Sequence, residues 1–294
     1  MVDSTAYLLI SHGSRDPRPK EAMNRLANLV RAQLVEMDLA RPHLESPSPQ
    51  AQHAPSEPLQ PFPNEVTPSK GRTVLLTRPK VQTSPPSDAI AQVMVGTACL
   101  ELAPMSLSEQ IYEFGTRVTA AGIKKLKLMP VFLMSGVHVK EDIPQEVNAA
   151  KKLLAETGLQ LVLCPHLGSH NKISDVLASR MASVPSTGSL LVAHGSRRPK
   201  GNKVIQRLAE RLNTQVAYWS TPPDIETQVI HLMQQGCQQI TILPYFLFAG
   251  GITDAIAYRT EELAERFPKV NFRLLPTLGA TDEIASLAVE LIYQ

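Results

Sequence analysis

Cysteine is scarce in this sequence, and the kinds of site that depend on it are correspondingly absent. The 294 residues include 3 cysteines, Cys99, Cys164 and Cys237, and no two of them form a CxxC pair. This spacing argues against a disulfide framework and against a zinc or iron–sulfur site. We expect each of them to be a small buried apolar side chain.

Long apolar runs and strong net charge are lacking as well. No run approaches the roughly 18 residues that a membrane span needs, and the chain enters a strand pattern at Tyr7 without a leader-like segment. The formal net charge is +2, which is too weak a bias to indicate nucleic-acid binding. The sequence therefore predicts a cytoplasmic protein with no nucleic-acid or membrane partner.

What the sequence does contain is one unit written twice, with its motifs in the same order. The matched segments are YLLISHGSR at 7–15 with SLLVAHGSR at 189–197, LKLMPVFLMSG at 126–136 with ITILPYFLFAG at 240–250, and CPHLG at 164–168 with LPTLG at 275–279. We predict a duplicated domain, with a first copy over 1–183 and a degenerate second copy over 189–294. Val184 to Gly188 would be the linker.

The first copy carries extra chain between its first two motifs. Nearly half of the 24 prolines lie between residues 42 and 88, among Ser, Gln and Asn. Such a composition buries too little apolar surface to offset the entropy of ordering. We expect a disordered insertion over about 41–70, and a short strand at Thr73 to Thr77.

Strands alternate with helices in each copy, which predicts an α/β fold with parallel sheets and helices on both faces. The run from Leu128 to Met134 fits a fully buried strand, and we expect a last strand to close each unit. Further strands are expected at Val93 to Leu102 and Gln215 to Trp219. Apolar residues at helical spacing predict a helix after each first strand: Met23, Leu26, Val30, Leu34 and Met37 in copy one, and Val204, Leu208 and Leu212 in copy two.

Three polar residues of copy one follow successive strands. His12 ends the first strand, Glu101 ends the second and His138 follows the third. Ligands of open parallel sheets bind beyond the carboxyl ends of the strands, so these side chains predict a catalytic site for a borderline divalent metal. Each residue alone has a simpler explanation: His12 could serve a loop carbonyl, Glu101 could be a solvated charge, and His138 could start a solvated helix.

Copy two departs from this set. His194 repeats His12, but Trp219 and Ser220 stand near the position of Glu101, and Ile252 stands at that of His138. Copy two therefore lacks the residues for a second triad. His194 either faces the site of copy one or is a relic of the duplication.

Basic residues lie near the same strand ends and could pair with carboxylates of an anionic substrate. Arg15, Lys140, His194 and Arg197 are the predicted substrate-binding residues. Further candidates are Arg18, Lys20, Arg198 and Lys200. Ordinary surface charge is the alternative.

The motifs taken together resemble the CbiX/SirB sirohydrochlorin chelatases, class II chelatases, in their long two-copy form. The resemblance rests on HGSR, on LELAP at 100–104 and on PVFLMSGVHVKEDIP at 130–144. It implies two flavodoxin-like domains facing each other across a cleft, and insertion of Fe²⁺ or Co²⁺ into sirohydrochlorin. It also maps metal handling onto His12, Glu101 and His138. Ala103 stands where members often have a second Glu.

Several alternatives accompany this resemblance. The sequence has no His-rich tract and no C-terminal CxxC, which favours iron over a cobalt-specific enzyme. A non-catalytic tetrapyrrole-binding protein and a phosphatase are the other readings; no Arg precedes His12 directly and no Gly-rich phosphate loop is present. No cofactor beyond the substrate metal is implied. A fused pair of copies can form a cleft without a partner chain, so we expect a monomer.

Overall fold

The computed structural model describes residues 5–40, 93–198 and 200–294 of the chain. The first copy comprises β1 (Thr5–Ser11), α1 (Pro17–Ala40), β2 (Val95–Cys99), α2 (Leu107–Ala120), β3 (Lys125–Pro130), a π-helical turn (His138–Asp142), α3 (Ile143–Leu153), a 3₁₀ turn (Ala155–Thr157), β4 (Gln160–Leu163), a second 3₁₀ turn (Leu167–Ser169) and α4 (Ile173–Ala182).

The second copy repeats this order in a shorter form. It comprises β5 (Gly188–Ala193), α5 (Lys203–Arg211), β6 (Gln215–Tyr218), α6 (Ile225–Gln234), β7 (Gln239–Pro244), α7 (Gly251–Arg266), β8 (Asn271–Leu274) and α8 (Asp282–Ile292). The predicted strands at 93–102 and 215–219 correspond to β2 and β6. The predicted buried strand at 128–134 overlaps only the end of β3, because the chain leaves the sheet after Pro130.

Each copy contains a four-stranded parallel sheet, in the order β2-β1-β3-β4 and β6-β5-β7-β8. This is the flavodoxin-like order, in which the chain reverses direction across the sheet beside its first strand. The central strand β1 is buried on both faces, with Leu8, Leu9 and Ile10 at most 1% exposed. Two parallel sheets with flanking helices confirm the predicted α/β class.

Helix α2 shows how local sequence sets an element beside the first sheet. The Ser106 hydroxyl accepts a hydrogen bond from the Glu109 N–H, and the Glu109 carboxylate accepts one from the Ser106 N–H. This reciprocal cap starts the helix. Its apolar face, which includes Ile111 and Val118, packs with α3 on one face of the sheet.

The other face of each sheet belongs to an apolar core that both copies share. Helix α8 packs along α1 and against β3, so the last helix of the second copy covers the first sheet. In return, the Arg180 guanidinium of α4 donates to the carbonyls of Thr277 and Leu278. The predicted last strand is present in each copy, as β4 and β8, but it does not end the unit, because a further helix follows it and contacts the opposite copy.

The predicted helix faces are partly confirmed. In α1, Met23, Leu26, Val30 and Leu34 are buried, whereas Met37 is 41% exposed. In α5, Leu208 is buried, but Val204 is 53% exposed and Ile205 takes its place in the core. Leu212 also packs against this core, so Val204 is the one residue of the predicted α5 face that is misplaced.

Several other predictions have simple outcomes. Cys164 is buried as expected, whereas Cys99 and Cys237 are only partly buried. The proposed insertion at 41–70 and the strand at 73–77 lie outside the described residues. The predicted linker at 184–188 follows α4 and overlaps β5 at Gly188, and the domain boundaries stay a prediction. Within the described residues, no helix is both long and apolar enough to cross a membrane.

Candidate metal site

The topology brings the carboxyl ends of three neighbouring strands to one edge of the first sheet. β1 lies between β2 and β3 in the sheet. The chain passes from β1 through α1 to β2 on one side, and then crosses β1 through α2 to reach β3 on the other side. Such a reversal opens a crevice at the carboxyl ends of the two central strands. His12 follows β1, Glu101 follows β2 and His138 follows β3 at the start of the π-helical turn.

Backbone contacts between the first two loops place Glu101 beside His12. The Glu101 N–H donates to the His12 carbonyl over 2.9 Å. Gly13 has φ of 100°, and a Cβ there would lie 2.0 Å from the Glu101 carbonyl oxygen. Only glycine allows both the dihedral and the close approach. The Gly of the HGSR motif thus brings the two loops together.

Gln110 fixes the end of β2 from the side of α2. Its side-chain carbonyl accepts the Cys99 N–H over 3.0 Å, and its amide group donates to the Cys99 carbonyl over 2.8 Å. These two hydrogen bonds to the backbone of Cys99 fix the point at which the chain turns toward Glu101. Sequence reasoning missed Gln110, because a Gln in an amphipathic helix gives no signal of its partner.

The structure brings His12, Glu101 and His138 together. One potential ligand atom from each residue lies within 4.8 Å of the others. The His12 Nε2 atom is 3.9 Å from a Glu101 carboxylate oxygen, and the two imidazoles meet edge to face at 4.8 Å between ring centroids. About half of the His12 side chain is exposed (50%). Two imidazoles and a carboxylate suit a borderline divalent metal and leave coordination positions open.

Asp142 orients His138. The His138 Nδ1 atom is 2.7 Å from an Asp142 carboxylate oxygen, one turn along the π-helical segment. An Nδ1–H that donates to this carboxylate leaves Nε2 as the nitrogen with a free lone pair, as in the carboxylate–histidine pairs behind many metal sites. Sequence reasoning missed this contact, because Asp142 is one of several charged residues that follow His138 and nothing in the pattern singles it out.

An apolar ring and an acidic pocket border the triad. The Phe132 ring lies 6.3 Å from the His12 ring and 6.4 Å from the His138 ring, measured between centroids. On the other side is a pocket of about 270 Å³. Its lining residues are Leu100, Glu101, Ser106, Leu107, Asp142, Gln145 and Glu146.

The basic residues of copy one divide into free and engaged side chains. Arg15 and Lys140 are exposed, with no carboxylate in ion-pair contact among the described residues. The Arg18 guanidinium instead bonds to both Asp16 and Asp254, and these bonds hold the pKa of each carboxyl below its ordinary value. Arg18, a candidate for substrate binding, is therefore already paired.

His166 is a further histidine at this edge of the sheet that sequence reasoning left out. It follows β4 and is half-buried. Burial lowers the pKa of its imidazole, and the nearby Lys140 ammonium lowers it further. The side chain is therefore held in its neutral form near neutral pH. Its position in the CPHLG segment was the only available signal.

Copy two keeps the backbone of the site and its first histidine, but lacks counterparts of Glu101 and His138. The Ser220 N–H donates to the His194 carbonyl over 2.9 Å, as Glu101 does to His12. The exposed His194 has its Nδ1 atom 3.0 Å from the Gly195 carbonyl and 3.5 Å from the Ser220 hydroxyl. Ile252, in α7, occupies the position of His138. Across the described residues, His12, Glu101 and His138 are the only cluster with metal-ligand spacing.

Comparison with curated proteins finds relatives with chelatase names. A sirohydrochlorin cobaltochelatase of Priestia megaterium is 22% identical over 216 residues, which cover 68% of this chain and 69% of that protein. A sirohydrochlorin ferrochelatase of the same organism is 24% identical over 183 residues, covering 56% of this chain and 66% of that protein. A sirohydrochlorin cobaltochelatase of Methanosarcina acetivorans is 33% identical over 104 residues, covering 32% and 77%.

Solved structures share the fold over nearly the whole chain. SirB from Bacillus subtilis with Fe³⁺ matches with a TM-score of 0.62 at 16% identity, covering 99% of this chain and 94% of that one. CbiX from denitrifying bacteria, described as the terminal enzyme for biosynthesis of siroheme, matches with a TM-score of 0.54 at 17% identity, covering 98% of both chains.

The sequence profile of one family matches the chain twice in succession. The description of that family is CbiX, and the matches cover residues 88–184 and 188–294. Together they span more than half of the chain, one in each copy. With the duplicated fold, they establish that this protein belongs to the CbiX family.

Proposed function

We propose that this protein is a sirohydrochlorin chelatase, a lyase-class enzyme that inserts Fe²⁺ or Co²⁺ into the sirohydrochlorin ring. The observation that carries the proposal is the placement of His12, Glu101 and His138 on one sheet edge, with ligand atoms within 4.8 Å of one another. The chelatase names of the curated relatives support the choice of substrate.

The reaction requires two tasks of the protein. One M²⁺ must be delivered to the four ring nitrogens, and two pyrrole protons must leave, so that the metal-free ring and M²⁺ become the metallated ring and 2 H⁺. In this proposal His12, Glu101 and His138 hold the metal through at most three ligands, which leaves positions for the incoming nitrogens. Imidazoles also accept protons near neutral pH, so each histidine that releases the metal can take up a proton.

The site contains features that would assist transfer rather than storage of the metal. His12 and Glu101 are half-exposed, which gives a flat ring access to the metal from solvent. Phe132 offers an apolar surface beside both imidazoles. Arg15, Lys140, His194 and Arg197 are proposed to hold the peripheral carboxylates of the ring.

One curated relative is named a cobaltochelatase and another a ferrochelatase, so cobalt and iron are both candidates for the metal at this site. The absence of a His-rich tract favours iron, as the sequence predicted. The predicted monomeric state, the cytoplasmic location and the absence of a further cofactor or macromolecular partner stay predictions.

A visible-spectrum assay tests the proposal. Purified protein is mixed anaerobically with sirohydrochlorin and then with Fe²⁺ or Co²⁺, and metal insertion is followed against a protein-free control. We expect a rate well above the control, and the ratio of the two rates reports the metal preference. A spectral change on binding without faster insertion would instead identify a tetrapyrrole-binding protein. Hydrolysis of a chromogenic phosphate ester, which we do not expect, would identify a phosphatase.

Single-residue variants test which histidines take part in metal insertion. His12→Ala and His138→Ala should each lose most of the insertion rate while far-ultraviolet circular dichroism stays unchanged. His231→Ala is the matched control, since His231 is an exposed histidine of α6 in the second copy. Near-normal turnover by His12→Ala or His138→Ala would remove that residue from the mechanism. His194→Ala tests whether the histidine of copy two acts.

A further inference from the structure

The contacts between the two copies follow an approximate two-fold relation. Arg180 of α4 bonds to Leu278, and α8 packs against the 3₁₀ turn at Leu167–Ser169. Leu167 and Leu278 are equivalent residues of the CPHLG and LPTLG motifs. These two contacts are therefore counterparts of each other in opposite directions.

On one side of this relation, an ion-pair cluster joins the copies. Arg18, in the first turn of α1, donates two hydrogen bonds to Asp254 at the start of α7, over 3.0 and 2.5 Å. It also binds Asp16. A Cβ built on Gly250 would lie 3.8 Å from Pro19 and 3.9 Å from Asp16. The HGSR loop of copy one and the start of α7 are thus in contact.

The equivalent residues on the other side can be assigned from matching backbone bonds. The Asp16 N–H binds the Ser14 hydroxyl over 3.1 Å, and the Arg198 N–H binds the Ser196 hydroxyl over 3.2 Å. The Asp254 N–H binds the Gly250 carbonyl over 3.0 Å, and the Lys140 N–H binds the Gly136 carbonyl over 3.1 Å. Arg198 therefore replaces Asp16, and Lys140 replaces Asp254.

The third position follows from the motif itself. In HGSRDPR and HGSRRPK, Lys200 stands where copy one has Arg18. The match is one of motif position, because Arg18 lies in α1 whereas Lys200 precedes α5 with φ of 65°. By this equivalence, basic residues hold all three positions that the acid–base–acid cluster occupies on the first side. Lys140, Arg198 and Lys200 are exposed, and no carboxylate of the described residues is in ion-pair contact with them. Gly136, the counterpart of Gly250, has nothing in the described residues within 4 Å of a built Cβ.

We propose that Lys140, Arg198 and Lys200 form a carboxylate-binding set that spans the two copies and receives the peripheral carboxylates of the tetrapyrrole. The proposal deepens the proposed function and rests on it. Three like charges cannot join the copies as the Arg18 cluster does, but an anion with several carboxylates can pair with all of them. Lys140 lies in the same π-helical turn as His138, so a ring bound there is at the metal site.

In this proposal, ion pairs join the copies on one side, and the three basic residues receive the ligand on the other. Arg15 and Arg197 occupy equivalent positions in HGSR, so they do not distinguish the two sides. Charge at Lys140, Arg198 and Lys200 does distinguish them. Ring binding on this side should therefore weaken with ionic strength, since exposed charges are screened by salt.

The test compares charge-removal variants of the full chain. Lys140→Gln, Arg198→Gln and Lys200→Gln should each raise the KM for sirohydrochlorin about threefold, and the triple variant at least about tenfold, with kcat retained. The dissociation constant of the metal-free ring, measured by absorbance titration, should rise in parallel, and its dependence on salt should flatten. Lys140→Asp, which reverses the charge, should weaken binding more than Lys140→Gln.

A matched control removes the same charge elsewhere. Lys151, Arg207 and Lys269 are exposed basic residues outside the set, and their triple Gln variant should leave KM, the dissociation constant and its salt dependence unchanged. An equal effect of both triple variants, or no effect of the first, would overturn the set while leaving the chelatase function intact. A wild-type protein that neither binds nor metallates sirohydrochlorin would instead overturn the proposed function, and the set with it.

Discussion

At the scale of single residues, the site depends on positions that allow close approach and on side chains that orient one another. Gly13 lets the HGSR loop lie against Glu101, and Asp142 holds one nitrogen of His138. Neither residue supplies a metal ligand in our proposal. Both act through a neighbour, so their substitution separates geometry from chemistry.

Gly13→Ala should disrupt both the site and the fold. An added Cβ would meet the Glu101 carbonyl oxygen at 2.0 Å in a backbone with φ of 100°, and we expect a loss of about 3 kcal/mol in unfolding free energy with loss of chelation. Gly122→Ala is the control, since its φ is 76° but nothing in the described residues lies within 4 Å. It should cost about 1 kcal/mol from the dihedral alone. Urea unfolding measures the loss of unfolding free energy in both variants, and equal losses would contradict the steric argument.

Asp142→Asn should lower the insertion rate about 10- to 100-fold, because His138 loses the carboxylate that selects its tautomer. The readouts are the split between kcat and KM for the metal and the pH profile of kcat. The neighbouring Glu141→Gln changes the same net charge in the same turn and should leave both unchanged. If the two variants behave alike, orientation of His138 by Asp142 is not needed.

At the scale of secondary-structure elements, the alternation of strands and helices was predictable from sequence, and the docking of the last helices was not. The apolar pattern of α1 identified its buried face through Leu26 and Val30. The apolar pattern of α5 predicts Val204 on the buried face, whereas Ile205 is buried, because a nine-residue helix offers too few turns to separate adjacent apolar residues. The pattern says that a helix has an apolar face, but not which surface covers it.

The α8 contact gives a pH-dependent prediction. The buried His170 accepts the Lys172 N–H at Nδ1, so its Nε2–H donates to Glu290 of α8 over 3.1 Å. The Lys172 ammonium, with His170, lowers the pKa of Glu290 from its ordinary 4.5. The folded state therefore binds the proton less readily than the unfolded state, so this stabilisation is present above pH 4.5 and is lost as the pH falls through the folded pKa.

We expect Glu290→Gln to lower the unfolding free energy by about 1 kcal/mol at pH 7, since the carboxylate is partly exposed and screened. The difference from wild type should shrink toward zero in acid. Glu261→Gln, an exposed position of α7, should show no such difference at either pH. Urea unfolding at both pH values is the measurement, and a constant difference would exclude the ionised contact.

At the scale of the whole molecule, the two copies depend on each other for their cores. Helix α8 buries seven residues, among them Leu287 and Leu291, and it packs on α1 and β3 of the first copy. Burying a large apolar side chain contributes about 2 kcal/mol, so α8 alone contributes an amount comparable with the stability of a whole domain.

A chain cut between Val184 and Gly188 tests this dependence. Neither fragment alone should unfold cooperatively, because each loses the part of the shared apolar core that the other copy supplies, whereas the two fragments produced together should associate and recover the wild-type transition. Circular dichroism during urea unfolding distinguishes the cases. A cooperative transition of either isolated fragment at the wild-type midpoint would show that the shared core is dispensable.

The sequence by itself determined the repeat, the α/β class and the three residues that the sheet edge brings together. These are consequences of local pattern: apolar runs make buried parallel strands, and residues that follow such strands must share an edge. Only the tertiary structure decided that α4 and α8 each contact the opposite copy, that Asp142 orients His138 and that Arg18 pairs with Asp254. Each depends on which surfaces of the two copies meet or on how a side chain is oriented. Neither property produces a periodic pattern in the sequence.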